Sequence, residues 1–292
     1  MDARCTSCHA PLHDVPENLR GENFKVGDGI SCESCHGAAE KWLRSHTRTD
    51  YTRADRTASG LRDLENLYVR ANTCVACHQV VSQPLLKAGH PELIFELDGQ
   101  SVAEPKHWST EKNGNGAQAW LVGQAVALRE LSWQMAQTHP IADMSQRYVE
   151  TNLVDRILAL SWLLHAAIAD DRTIPSFNDD FESIRQWADK LAQEKSIALW
   201  SESTTQEYLM RLANLSSSFL DEKVRQPLQA RRAERLVIAL DRLIAALPEL
   251  KSNEPVQTAL NQLFRLAQSI PDFDPKQFAG EFQKLANALK AH

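Results

Sequence analysis

The chain has no cysteine beyond residue 77, and none outside three short repeats of one spelling. Once those repeats are set aside, no thiol is left to staple a secreted scaffold with disulfides. No apolar run approaches the ~18–20 residues that a membrane-spanning helix needs, so no span is expected. Neither half is basic. Residues 1–110 hold 12 Lys and Arg against 15 Asp and Glu, and the other 182 residues hold 20 against 23, which makes −3 and −3 of the total −6. That removes the electrostatic footprint of a nucleic-acid binder. Glycine is scarce in the second part, where only Gly123 and Gly280 follow Gly116. Nothing resembling a leader precedes Cys5 either.

The three repeats are Cys5-Thr6-Ser7-Cys8-His9, Cys32-Glu33-Ser34-Cys35-His36 and Cys74-Val75-Ala76-Cys77-His78. Together they use all six cysteines. Cys-x-x-Cys-His is the attachment pattern of a c-type haem. Two thiols add to the two vinyl groups of one porphyrin, and the following His meets the iron as its proximal ligand. A zinc site, a thioredoxin-like redox pair or a disulfide set would also use Cys-x-x-Cys. None of these explains a His after the second Cys in every copy. The pattern therefore predicts three covalent haems c, attached at Cys5 and Cys8, Cys32 and Cys35, and Cys74 and Cys77. Their proximal ligands are His9, His36 and His78. Haem is attached to this motif outside the cytoplasmic membrane, so a periplasmic or otherwise extracytoplasmic location is expected. A signal segment is then expected upstream of Met1.

The composition divides the chain. Residues 1–112 are loop-rich, with seven of the eleven glycines before residue 110 and helical periodicity only in short pieces such as Ala38–Ser45 and Leu61–Val69. This suits a haem domain whose core is porphyrin. Asn113-Gly114-Asn115-Gly116 reads as a linker. From 117 to 292 apolar residues recur at helical spacing, as in Val149, Leu153, Ile157, Leu160, Leu164 and Ile168. Similar stripes cover about 178–198, 204–219, 228–247, 255–269 and 276–290. Asp274-Pro275 supplies an N-cap and a first-turn proline for the last of them. The expected fold is mainly α: a loop-rich three-haem domain, 1–112, followed by an all-α bundle of about seven helices, 117–292.

Seven of the ten histidines lie in the first part. Beyond the three proximal ones, His13, His46, His90 and His107 are candidates for the far side of an iron, which takes His, Met or nothing there. His46 lies ten residues after His36 and is directed to a neighbouring iron. His90 sits in Gly89-His90-Pro91, and His107 in Pro105-Lys106-His107-Trp108, both on pinned loops. His13 follows His9 by one helical turn and cannot reach the same iron. His139, His165 and His292 read as structural or solvent residues.

These stretches resemble a known family. Gly29-Ile30-Ser31-Cys32-Glu33-Ser34-Cys35-His36-Gly37 with Trp42 and His46 resembles the multihaem c-type cytochromes. More narrowly, it resembles the tetrahaem electron carriers related to the acceptor of hydroxylamine oxidoreductase. Cys74–His78, Ala88–Leu93, Phe95–Leu97 and Pro105–Trp108 extend the likeness over residues 3–110. The resemblance implies periplasmic electron transfer through closely packed, mostly bis-His haems, with His46, His90 and His107 at the family's non-motif positions. His13 has no such counterpart. Family members carry a further Cys-x-x-Cys-His ahead of the one at Cys5, so one is expected upstream of this chain.

The expected function is electron transfer through three low-potential haems, exchanging electrons with redox partner proteins. An alternative is a haem enzyme, or a subunit of a larger redox complex, acting on a small nitrogen or oxygen species at a five-coordinate iron.

Overall fold

The computed structural model describes residues 2–99, 116–137, 144–168, 181–269 and 272–291. Among them the chain is mainly helical and forms no strand. It divides into two compact units, Met1–Phe95 and Glu96–His292. The division falls between Phe95 and Glu96, earlier than the glycine-rich stretch at 113–116, because Leu97 is fully buried in the second unit.

The first unit holds short helices joined by turns: α1 Ala3–His9, α2 Cys32–His36, α3 Arg53–Ala58, α4 Leu67–His78 and α5 Gln83–Lys87. The stretch Ala38–Ser45 is not helical but turns from residue 40 on, and only the tail of Leu61–Val69 is helical. Local chemistry sets these limits. Asn66 caps α4 by accepting the Tyr68 and Val69 backbone N–H groups, and Thr52 and Asp55 cap α3 reciprocally. Gly37 ends α2 with φ +81°, a left-handed backbone that favours glycine. A Cβ there would also lie 3.3 Å from the Gly60 carbonyl oxygen.

The second unit is built from α6 Gly116–Gln137, α7 Met144–Ile168, α8 Phe181–Ile197, α9 Glu202–Ala213, α10 Gln226–Ala245, α11 Pro248–Lys251, α12 Glu254–Ala267 and α13 Pro275–Lys290. The stripe expected over 204–219 stops at Ala213, where Asn214 caps the helix, and a 3₁₀ turn Ser216–Leu220 follows. That turn delivers Phe219 into an aromatic cluster. Its ring lies 4.6 Å from Phe278 and 5.9 Å from Trp162, with Phe282 6.1 Å from Phe278. Trp120, Leu121, Leu128, Leu131, Ile157, Leu160 and Leu163 complete a fully buried interior. Each large side chain removed from water there contributes about 1.5–3 kcal/mol.

Candidate functional site

The candidate site lies in the first unit, where each motif ends a helix. The first motif occupies α1, which starts at Asp2; the Asp2 carboxylate accepts the Arg4 N–H at 2.9 Å. Cys5, Cys8 and His9 sit on exposed or half-exposed positions, while Thr6 turns inward.

The second motif is α2 itself. Ser34 Oγ accepts the Ser31 N–H at 3.1 Å at its start. Its end is held by Arg62, whose backbone N–H donates to the His36 carbonyl at 2.8 Å and whose Nη1 donates to the Cys35 carbonyl at 2.8 Å. A cation at a helix C-terminus meets the negative end of the helix dipole and satisfies carbonyls that have no partner within the helix. Glu33 accepts the Ala39 N–H at 2.7 Å and fastens the following turn.

The third motif closes the C-terminal end of α4, with Val75 buried between its cysteines. The next residue, Gln79, is buried and accepts the Phe95 N–H at 3.2 Å. That bond brings the chain back after its excursion through α5 and His90.

The three motifs converge. Among the described residues no two cysteines are joined by a disulfide. Helices α1 and α4 pack together. Cys77 is hydrogen-bonded to Cys8 and has Cys35 and Cys74 as electrostatic neighbours; burial first, and Cys8 second, push its thiol up to about 11.

The candidate histidines divide by what their ring nitrogens do. His90 Nδ1 lies 2.8 Å from the Pro91 carbonyl, and His46 Nδ1 lies 2.7 Å from the Leu43 carbonyl. A carbonyl only accepts, so in the neutral imidazole Nδ1 carries the proton and Nε2 keeps a lone pair. This is the arrangement of a metal-ligating His oriented by a backbone carbonyl. His13 is different. Its Nδ1 donates to the Ala10 carbonyl at 3.0 Å, and its Nε2 accepts from the Thr6 hydroxyl at 3.0 Å. Both nitrogens are committed to the end of α1. His107 lies outside the described residues.

Two ring contacts add geometry. The His9 and His90 ring centres are 6.4 Å apart, tilted at 57°. Two imidazoles on opposite sides of one metal ion, each with a metal–nitrogen bond of about 2 Å, have ring centres about 6 Å apart. His36 and His46 are instead separated by Trp42, whose ring lies 6.3 Å from the first and 5.8 Å from the second, edge-on to both. The Trp42 indole is buried and its N–H has no hydrogen-bond partner.

These residues fit haem better than zinc. Zinc requires four donors, mostly from the protein, whereas haem brings four nitrogens and asks the chain for two axial ligands and two thiols. Among the described residues no group of three or more His, Cys, Asp or Glu is arranged to hold a metal ion. The pairs present, two cysteines with a following His and an opposed His, are what a porphyrin leaves for the protein to supply. The unpartnered Trp42 N–H is a donor of the kind a propionate accepts.

Arg62 and Gln79 went unnoticed in the sequence. Arg62 stands 26 residues after His36 in no motif, and only the fold brings it to α2. Gln79 could have been suspected from its place beside His78.

Comparison with known proteins agrees with the motif reading. The family model described as Cytochrome c554 and c-prime matches residues 1–37, a stretch that contains the first two motifs. The match supports a c-type cytochrome, and with it covalently bound haem c and haem-based electron transfer, in a family that is typically extracytoplasmic. No curated protein and no solved structure matches the chain. Among the described residues no helix is long and apolar enough to cross a membrane.

Proposed function

We propose that the chain is a three-haem electron carrier of the extracytoplasmic space, related to the tetrahaem carriers. Its first 112 residues hold the haems and residues 117–292 form a supporting helical domain. Haem, when bound, supplies a one-electron couple, and its potential follows axial ligation, burial and hydrogen bonding. The chain's own residues do the rest. Cys5 and Cys8, Cys32 and Cys35, and Cys74 and Cys77 anchor the groups. His9, His36 and His78 ligate from the attachment side. His90 opposes His9, and His46 serves an iron other than that of His36. His107 is the ligand proposed for the remaining iron. His13, with both nitrogens engaged, is a structural residue that holds the end of α1. Electrons are exchanged with redox partner proteins.

The observation that carries this reading is the 6.4 Å separation of His9 and His90, with His90 Nδ1 held by the Pro91 carbonyl. No sequence motif brings those two rings together. Three low-spin irons with two His ligands each leave no open position for substrate, which separates the carrier from the enzyme reading. Pyridine haemochrome assay is expected to give three haems per chain. Electron paramagnetic resonance is expected to show low-spin iron only, and His90→Ala to turn one iron high-spin. A high-spin signal in the native protein that shifts with nitrite or cyanide would replace the carrier by the enzyme. Stoichiometric zinc without haem would remove both.

A further inference from the structure

The second unit contains a buried polar cluster. It centres on Glu96, at the start of the segment Glu96–Gly99 that seats against α6. Leu97 is fully buried, and a Cβ on Gly123 of α6 would come within 2.7 Å of its own Cβ. Asp98 is just as close to α6, since a Cβ on Gly116 would meet its carboxylate at 2.6 Å. The segment, helical over residues 97–99, thus approaches α6 closely at two glycines, where no side chain stands in the way.

The Glu96 carboxyl is enclosed in this seat although the residue keeps some exposed surface. Its Oε1 accepts from Gln124 Nε2 at 2.5 Å, while its Oε2 is buried without a hydrogen-bond partner. Gln124 is fully buried on α6, and its own Oε1 faces Nη1 of Arg235, which is 2% exposed on α10. The other charges facing Glu96 are Arg242 on α10 and Asp98 on its own segment. Arg242 is shared with Asp98 at 3.2 Å and Asp241 at 3.1 Å. A carboxylate here would have one oxygen bare in a dry site, with Arg242 partly neutralised by other acids.

We propose that Glu96 is a proton-operated latch: as the acid it lets the Glu96–Gly99 segment seat on α6, and as the carboxylate it loosens that seat. Burial outweighs Arg235 and Arg242 and pushes the Glu96 carboxyl from 4.5 up to about 7. The seated segment therefore holds a proton that a released, solvated Glu96 gives up between pH 4.5 and about 7. Seating is strongest below that window, weakens as pH rises through it, and is level above it. The latch changes state near neutral pH, unlike an ordinary surface glutamate.

Hydrogen exchange of the full-length, haem-loaded protein tests this at the peptide covering residues 93–99. Its protection factor is expected to fall about thirtyfold from pH 5.5 to pH 8.5, the change implied by moving a carboxyl from 4.5 to about 7 on seating. Glu96→Gln should abolish the fall. Gln124→Leu removes the donor that favours the charged form and should move the transition to higher pH. Equal protection at both pH values overturns the proposal. So does an unchanged pH dependence in Glu96→Gln, which would assign the effect to Asp98 or Asp241. Should Glu96→Gln fail to fold, an unshifted transition in Gln124→Leu overturns it equally.

Discussion

The two units bury apolar side chains on different scales. Among the described residues, Met1–Phe95 buries seven: Ala10, Ala39, Trp42, Leu67, Ala71, Val75 and Phe95. The second unit buries forty-nine. Three of the seven are alanines, which contribute little area. Ordering a residue's backbone costs about 1–2 kcal/mol, so seven such side chains cannot organise some ninety residues unaided. What the first unit has instead is a convergence of thiols and imidazoles at Cys8, Cys77, His9 and His90. Leu19, Ile30 and Leu43 stand exposed in the same unit, each more than half accessible. A flat apolar macrocycle answers both facts, because it supplies core area and is fixed by those thiols. The contrast teaches that the first unit is specified by its ligands and the second by its side chains.

The most drastic way to break that comparison is to deny the first unit its attached haem. With all six cysteines changed to alanine, limited proteolysis is expected to cut freely within residues 1–95. The second unit should keep its helical circular dichroism and its own thermal transition. A first unit that stays protease-resistant without thiols would mean that its side chains suffice after all. The converse variant, Phe282→Ala, empties a fully buried position between Phe219 and Phe278. It is expected to cost the second unit about 3–5 kcal/mol, read by urea unfolding, while the haem absorbance holds through the mild part of the titration. Loss of both signals together at the same urea concentration would show one cooperative unit rather than two.

Different physics made different parts of the molecule legible. The helices of the second unit could be read because period-3.6 burial writes itself into the sequence: Leu153, Ile157, Leu160 and Leu164 are a stripe and all four are buried. Its boundaries were less legible where a 3₁₀ turn replaced the end of a helix, at Ser216–Leu220, with no loss of apolar pattern. In the first unit the motifs were legible because attachment chemistry demands fixed residue types at fixed spacing. The pairing of His9 with His90 was not. It depends on an 81-residue separation closed by Gln79 and Phe95, and no periodicity records that. The engagement of His13 was hidden for a related reason: its partner is a threonine hydroxyl inside a motif, Thr6, at a position the motif leaves free. Glu96 was hidden because a glutamate in Phe-Glu-Leu looks like the polar member of an alternating stretch.

A finer way to sharpen the contrast acts on α2. Arg62 is exposed and belongs to the first unit, so replacing it should leave the stability of the second unit untouched. Its two bonds nevertheless fix the last carbonyls of the helix that carries Cys32, Cys35 and His36. Arg62→Gln is expected to lower the midpoint potential of one haem, because a positive charge that favours the reduced state is withdrawn. Arg62→Lys should restore part of the shift, since the charge returns without the planar fork. Equal titrations for all three proteins would reduce Arg62 to a surface residue.

The smallest effect belongs to His13, and it bears most directly on ligand choice. Its ring donates from Nδ1 and accepts at Nε2, so no lone pair is left for an iron. His13→Gln should keep one of those two bonds and lose the other, at a cost of about 0.5–1.5 kcal/mol to the first unit. Every iron should stay low-spin. His90→Ala removes a ring whose Nε2 is uncommitted, and there one iron should turn high-spin with little change in folding. Each substitution moves the readout that the other leaves unchanged, so each controls the other. A spin change in His13→Gln and none in His90→Ala would exchange the two assignments, and His13 would then have to leave Thr6 to reach its iron.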